Sequence, residues 1–306
     1  MVDNQRFHGW PHRMPTGRWA YVNGRYVPHA RAAVHIEDRG LQFSDAIYEV
    51  WGLSDGALLD EEEHFERLER SLRELRMAMP MSRASLNLVL AELVRRNHID
   101  NGILYLQVTR GVVRRDHAIP NAQPRPSMIL TARRMDPKML ADRRKTGVKV
   151  VTRPDERWAR CDIKSTSLLA NVLAKTAARE EGAFEAWLID RDGYVTEGSS
   201  TTAWIVDGEG RLVTRDLSNA ILPGVTRRVI LRAAAEAQMP VVERKFTLAE
   251  ALSAREAFIT AATLGATPVV RIDGKPVGEG KPGPVGRRIQ ELYGVESTRK
   301  TVAKGG

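Results

Sequence analysis

The stretch "RWARCDIKSTSLLANVLAK", residues 157–175, sets one lysine between an apolar run and a cluster of small hydroxyl residues. Upstream, "GVKVVTRP" (147–154) is rich in β-branched residues and reads as a strand. Downstream, "LLANVLAKTAAREEG" has helical spacing and ends on Gly182, so the pattern predicts a helix near 167–181. Lys164 therefore belongs to a strand-to-helix connection rather than to an open helical face. A lysine acts as a nucleophile only when neutral, which needs a partly desolvated or electropositive setting. The apolar residues before Lys164 can supply one, although most lysines are simply solvated.

Working outward, "WAYVNGRYVP" (19–28) places two short strands around Asn23-Gly24, and "AIYEVWGLSDGALLD" (46–60) repeats the device around Asp55-Gly56. Two amphipathic helices follow, near 61–78 and 82–98, then strands in "GILYLQVTRG" and "RPSMILTARR". The charged stretch "RMDPKMLADRRKTG" (134–147) carries Pro137 and reads as a linker, with a boundary near 135–146. Beyond it, strands alternate irregularly with helices near 167–181, 224–238, 247–254 and 284–293. The fold class is α/β (α+β), two units with much antiparallel hairpin, not a regular βαβα winding. Residues 1–18 read as an N-terminal extension, 19–138 as a small domain, 139–295 as a larger one and 296–306 as a tail. Both ends look loosely ordered.

Composition narrows the function. The chain has 306 residues, 42% of them hydrophobic, enough for a sizeable core. No apolar run approaches the roughly 20 residues of a membrane span, and the N-terminus lacks a secretory h-region, so no membrane partner is expected. One cysteine, Cys161, fits a reducing, cytoplasmic setting. The net charge of +9 comes from basic residues mixed with acids rather than clustered, which argues against nucleic acid as a partner. Seven histidines show no metal-ligand spacing, and no G-x-G-x-x-G or Walker motif appears.

Two further stretches bear on Lys164. In "VTEGSS" (195–200), a strand delivers Glu197 into a tight hydroxyl-rich turn continued by Thr201. A carboxylate there suits a ring N–H, but a solvent-exposed turn reads the same way. In "ILPGVTRR" (221–228), Pro223-Gly224 breaks the chain before an apolar-periodic helix with Thr226 in its first turn. That is either a Thr-capped helix or a seat for phosphate, which free N–H groups and the helix dipole favour. A carbonyl for the lysine, a pyridine nitrogen for the carboxylate and a phosphate for the helix start describe one cofactor, pyridoxal phosphate.

With these stretches in their order, "EDRGLQFSDAIYEV", "HFERLERS", "QVTRGVVRRDHAIP", "ERWARCDIKS", "VTEGSS", "ILPGVTR" and "TPVVRIDGK", the chain resembles the fold-type-IV pyridoxal-phosphate aminotransferases from about Tyr21 to Tyr293. It is similar in particular to those that act on D-amino acids. The resemblance implies a two-domain fold with the cofactor between the domains, the larger domain binding it. Lys164 would carry the cofactor as a Schiff base and shuttle the proton. Glu197 would pair with the ring nitrogen, with Arg157 tied into the same polar network. Arg67, Gly224, Val225 and Thr226 would hold the phosphate, with Leu222 against the ring and Ser200 and Thr201 lining the pocket. Arg115, His117 and Tyr48 would trap the substrate carboxylate, the first two reaching across from the second subunit of a homodimer. The partners are then D-amino acids and 2-oxo acids. Within the same fold, the branched-chain L-amino acid enzymes, (R)-amine transaminases and aminodeoxychorismate lyases are the alternatives; a basic nucleic-acid-binding or scaffold protein is the alternative outside it. Two positions depart from the pattern. Thr201-Thr202 stand where a Ser-Asn pair is expected, and Ala262 stands at a phosphate-touching threonine, leaving Thr263 or a backbone N–H to substitute.

Overall fold

The computed structural model describes residues 17–302; the expectations for residues 1–16 and 303–306 lie outside them. The first half contains β1 (Trp19–Val22), β2 (Arg25–Pro28), α1 (Arg39–Phe43), β3 (Ala46–Ser54), β4 (Ala57–Leu58), α2 (Glu61–Glu74), α3 (Arg83–Asn97), β5 (Gly102–Thr109) and β6 (Ser127–Arg134). Its strands pair antiparallel in the order β2-β1-β6-β5-β3-β4. Both expected hairpins form. Asn23 (φ 47°) with Gly24 (φ 94°), and Asp55 (φ 49°) with Gly56 (φ 80°), take the left-handed pairs that match a tight turn to strand twist.

Alternation along β3 sorts its side chains onto two faces. Ile47, Trp51 and Leu53 join Phe65, Leu68 and Leu72 of α2 and Leu86, Leu90 and Leu93 of α3 in one core. The helix residues recur at three- and four-residue spacing, so each helix buries one stripe. Each such side chain contributes about 1.5–3 kcal/mol when taken out of water. The other face of β3 presents Tyr48, Val50 and Gly52, and those residues look toward the second half of the chain.

That half continues with α4 (Pro137–Thr146), β7 (Val148–Pro154), α5 (Leu169–Glu180), β8 (Glu185–Ile189), β9 (Val195–Gly198), β10 (Thr202–Val206), β11 (Leu212–Thr214), α6 (Val225–Glu236), β12 (Val241–Glu243), α7 (Leu248–Ser253), β13 (Glu256–Ala261), β14 (Gly265–Ile272), β15 (Lys275–Pro276) and α8 (Pro284–Val302). The nine strands form a mixed sheet in the order β12-β11-β10-β13-β14-β7-β8-β9, with β15 on β14. Both faces are covered. Ala203 and Ile205 of β10 pack with Phe246 and Ala251, while Trp204 and Val206 pack with Val229, Ile230, Ile289 and Tyr293. A strand buried on both sides needs a continuous apolar run, which "TAWIV" supplies.

Two segments differ from the sequence reading. Residues 137–146, read as a linker, form α4: Asp136 accepts a hydrogen bond from Lys138 N as its cap, Pro137 occupies the first turn and Gly147 closes the helix. Pro137 here opens a helix rather than marking a linker, because proline at the first turn forfeits no intrahelical bond. The last helix also runs to Val302 rather than stopping near 293. Glu296, on this extra length, accepts from Arg232 Nε at 2.9 Å and ties it to α6.

Because β7 and β8 are parallel neighbours, the chain must cross over between them, and α5 is that crossover. Lys164 lies in the connection leading into it, where Ser165 bridges to Ile47 of β3. The opposite wall comes from the turn after β13. A Cβ on Gly52 would meet the Ala262 carbonyl at 2.9 Å, so β3 approaches that turn only because position 52 is glycine.

Candidate active site

Between the two sheets lies a cavity of about 260 Å³. Every residue expected at the site lines it except Arg115 and His117: Lys164, Tyr48, Arg67, Arg157, Glu197, Ser200, Thr201, Leu222, Gly224, Val225, Thr226 and Thr263. Ala262 is also in the wall, so the 262–263 turn reaches the cavity despite the missing threonine.

Lys164 is held by its backbone. Its carbonyl accepts from Tyr48 N at 2.9 Å, and its amide donates to Ser71 Oγ at 3.3 Å. The side chain crosses the face of Tyr48, with Nζ 4.1 Å from the ring centroid. Tyr48 is itself stacked on Tyr105 at 5.7 Å. Among the described residues no carboxylate pairs with Nζ, so the amine faces the cavity with an aromatic neighbour rather than a counter-ion.

Glu197 is buried. Arg157 Nη1 donates to it, and Leu222 N lies 3.2 and 3.3 Å from its two oxygens. Arg157 is shared: its Nε and Nη2 grip Asp155 at 2.9 and 2.7 Å, and Nη2 also reaches the Ala220 carbonyl at 3.0 Å. Burial pushes the Glu197 carboxyl above its ordinary value, against the pull of Arg157 and the Leu222 N–H. A buried carboxylate so placed favours a cationic neighbour.

At the other end, Gly224 caps α6 without a side-chain hydrogen bond, and Val225 and Thr226 form the first turn. This excludes the Thr-capped reading and leaves the first N–H groups of α6 without a side-chain acceptor, a seat for an anion. A Cβ at Gly224 would fall 2.9 Å from Thr202 Oγ1, so the approach of the two chain segments depends on glycine. Arg67 adds its charge here, with Nη1 3.3 Å from the Pro223 carbonyl.

Two features lay beyond the sequence reading. Glu49 holds Arg67 from behind: Nε and Nη2 donate to its two oxygens at 3.0 and 2.6 Å, and His64 Nδ1 lies 2.9 Å from it. Glu49 alternates with Tyr48 on β3, a signal visible in "IYEV", but its pairing needs the fold. Second, the hydroxyls of Ser200 and Thr201 donate to buried Glu185, at 2.6 and 3.3 Å, so these residues shape the wall while their hydroxyls are engaged elsewhere. Cys161, with no Cys/His motif nearby in the sequence, also lines the cavity, and burial pushes its thiol up to about 11, which suits a packing residue rather than a nucleophile.

Arg115 and His117 stand on the exposed loop between β5 and β6. The Arg115 guanidinium lies 5.0 Å from the Phe43 ring centroid, and the His117 ring 5.2 Å from it. Neither reaches the cavity of its own chain.

The chemistry this cavity accommodates is specific. An unpaired amine suits an aldehyde carbon, a buried carboxylate suits a protonated ring nitrogen, and an arginine above a helix start suits a phosphate. Fold and site together define a pyridoxal-phosphate-dependent enzyme. The model of the amino-transferase class IV family matches residues 46–272, and the chain belongs to that family: it is a pyridoxal-phosphate-dependent aminotransferase. It is 41% identical to the D-alanine aminotransferase of Bacillus licheniformis over 283 residues, covering 92% of this chain and 98% of that one. With the D-alanine aminotransferase of Staphylococcus haemolyticus it shares 39% over 273 residues, 89% and 95% of the two chains. In three dimensions it resembles the branched-chain amino acid aminotransferase of Escherichia coli, with a TM-score of 0.85, 25% identity and 92% and 95% coverage. The branched-chain aminotransferase of the thermophilic archaeon Thermoproteus uzoniensis, solved with norvaline, superposes with a TM-score of 0.78 at 25% identity, covering 90% of this chain and 93% of that one.

Proposed function

We propose that the enzyme transfers the amino group of a D-amino acid to a 2-oxo acid in two half-reactions. The observation that carries this reading is the whole-chain likeness to D-alanine aminotransferases, which far exceeds the likeness to the branched-chain enzymes of the same fold. The Arg115-x-His117 pair, which the resemblance ties to the substrate carboxylate in the D-amino acid enzymes, supports it.

Bound in the cavity, pyridoxal phosphate supplies the electron sink that makes the amino acid Cα proton removable, and it holds the amine between half-reactions. The protein's own residues do the rest. Lys164 Nζ is the covalent anchor, then the base that takes the proton from the substrate Cα and returns one to Cα of the acceptor. Glu197, steadied by Arg157 and Leu222 N, would pair with the ring nitrogen and favour its protonated form. Arg67, the first turn of α6 and the 262–263 turn, with Thr263, would hold the phosphate. Leu222 and the 198–202 turn, with Ser200 and Thr201, give the ring a close-fitting wall.

The substrate carboxylate falls to Tyr48 of one protomer and to Arg115 and His117 of a second copy. Surface character supports the homodimer: Leu169, Val172 and Leu173 leave an apolar stripe on α5, and Ile36 and Leu41 are exposed near the loop. No helix among the described residues is long and apolar enough to cross a membrane. With a single cysteine, the cytoplasm is the proposed location.

The test is spectroscopic. The purified holoenzyme should bleach its violet-edge absorbance with D-alanine and recover it with 2-oxoglutarate. Turnover of L-leucine or L-valine without D-alanine would replace this reading with the branched-chain one. Without an acceptor acid, pyruvate release from D-alanine should stop at one equivalent per bound cofactor; sustained release would replace transamination with elimination.

A further inference from the structure

The loop that carries Arg115 and His117 is exposed, yet it is anchored to a buried device on its own protomer. Its ends are pinned first. Gly111, at φ +107°, passes so near the outgoing strand that a Cβ would lie 2.1 Å from the Arg125 carbonyl. Arg39 N donates to the Gly111 carbonyl at 3.0 Å, and Asp38 bridges to Val112.

The middle of the loop is held by one side chain. Arg39 is 3% exposed. Its Nη1 donates to the Asp116 carbonyl and its Nη2 to the His117 carbonyl at 3.3 Å, while Nε donates to Asp45 Oδ2 at 2.7 Å. Arg110, also buried, grips both oxygens of Asp45 at 2.7 and 2.9 Å and reaches Gln123 Oε1 at 3.2 Å. The Arg39 guanidinium also lies 4.8 Å from the Phe43 ring centroid, the same ring that meets Arg115 and His117. Thus the backbone at Asp116 and His117 and both side chains of the pair are referenced to the short helix α1.

We infer that Arg39, with Phe43, is a positioning residue for substrate-carboxylate recognition: it sets the loop so that Arg115 and His117 present their side chains to the cavity of the second protomer. This rests on the proposed role of that pair. Arg39 touches no substrate; it acts through the loop. Lysine cannot replace it, because a single ammonium cannot span one carboxylate and two carbonyls in a fixed fork.

The test measures binding of propionate, an unreactive carboxylate, to the holoenzyme by calorimetry, beside kcat/KM for D-alanine. Arg39→Met and Arg39→Lys should weaken propionate at least tenfold and lower kcat/KM in parallel. Cofactor absorbance and the sedimenting mass should stay unchanged. Phe43→Leu, a milder change, should move the same quantities less, and it stands in should Arg39→Met fail to fold. If Arg115→Ala weakens propionate while Arg39→Lys and Phe43→Leu leave it intact, the positioning role is wrong. If Arg115→Ala leaves propionate binding intact, the carboxylate role of the pair itself falls and the inference with it.

Discussion

Replacing Glu49 by leucine should destabilise the cofactor-free protein more than replacing Glu49 and Arg67 together by leucine and methionine. Glu49 is 0% exposed and Arg67 8%, and two of their oxygen–nitrogen contacts are 3.0 and 2.6 Å. Removing one partner of such a pair strands a buried charge, at a cost of about 3–5 kcal/mol, whereas an apolar pair of similar volume is often neutral or stabilising. At about 2–4 °C per kcal/mol for domains approaching this size, the single variant should melt roughly 6–20 °C below the parent and the double variant near it. Thermal unfolding at one fixed protomer concentration is the assay, because pairing of protomers would otherwise shift the midpoint. Inorganic phosphate should partly rescue Glu49→Leu, since an anion then meets Arg67. The pH dependence carries the same signature. Burial alone would raise the Glu49 carboxyl, but the Arg67 charge and His64 hold it well below its ordinary 4.5. A carboxylate with a lowered folded pKa contributes stability that is complete above about 4.5 and is lost as pH falls below it. Glu49→Leu should therefore lose stability less steeply below that pH than the parent. Equal melting of single and double variants, or parallel acid profiles, would refute the argument.

Other expectations can be checked in the same preparations. Lys164→Ala should lose the absorbance response to D-alanine and at least about a thousandfold in turnover, within the range expected for an acid–base group; full turnover would sink the mechanism. Glu197→Gln should lower kcat by about a hundredfold, comparable with removing one preorganised electrostatic partner, while the circular dichroism spectrum is retained. Arg115→Ala should raise KM for D-alanine roughly 10–100-fold, matching about 1.5–3 kcal/mol for a hydrogen bond to a charged group. Gly224→Ala should retain the fold but release pyridoxal phosphate faster on gel filtration, because its Cβ would press on Thr202 Oγ1 at 2.9 Å.

Local chemistry in the sequence was enough to locate the hairpins at Asn23-Gly24 and Asp55-Gly56, because the turn residues themselves carry the left-handed conformation. The strand-to-helix setting of Lys164 was legible for a similar reason: it depends on a β-branched run followed by a helical one. Residues 137–146 were misread because Asp-Pro marks both turns and helix starts, and only the packing of α4 against β14 separates them. The partners of Arg67 and Ser200 were not legible at all. Glu49 precedes Arg67 by 18 residues and Glu185 precedes Ser200 by 15, and each pairing exists only after different elements are brought together. A side chain's burial decides its partner, and burial is a property of the assembled layers.

The two buried glutamates of this region show why charge alone does not assign a role. Glu49 and Glu197 each accept from an arginine, but Glu49 has Arg67 in a two-point grip and His64 besides. Its carboxyl is held low and needs nothing more. Glu197 receives one nitrogen of Arg157, whose other nitrogens are spent on Asp155 and Ala220, and its further donor among the described residues is one backbone N–H. Burial therefore dominates and its carboxyl is pushed up. A cation brought into the cavity at Glu197 would reverse that shift, since an opposite charge at short range favours the ionised carboxylate. A protonated ring nitrogen is such a cation, and the carboxylate in turn raises the affinity of that nitrogen for its proton. The incomplete electrostatics of Glu197 thus suit the cofactor role proposed for it, whereas the complete electrostatics of Glu49 hold an arginine in place.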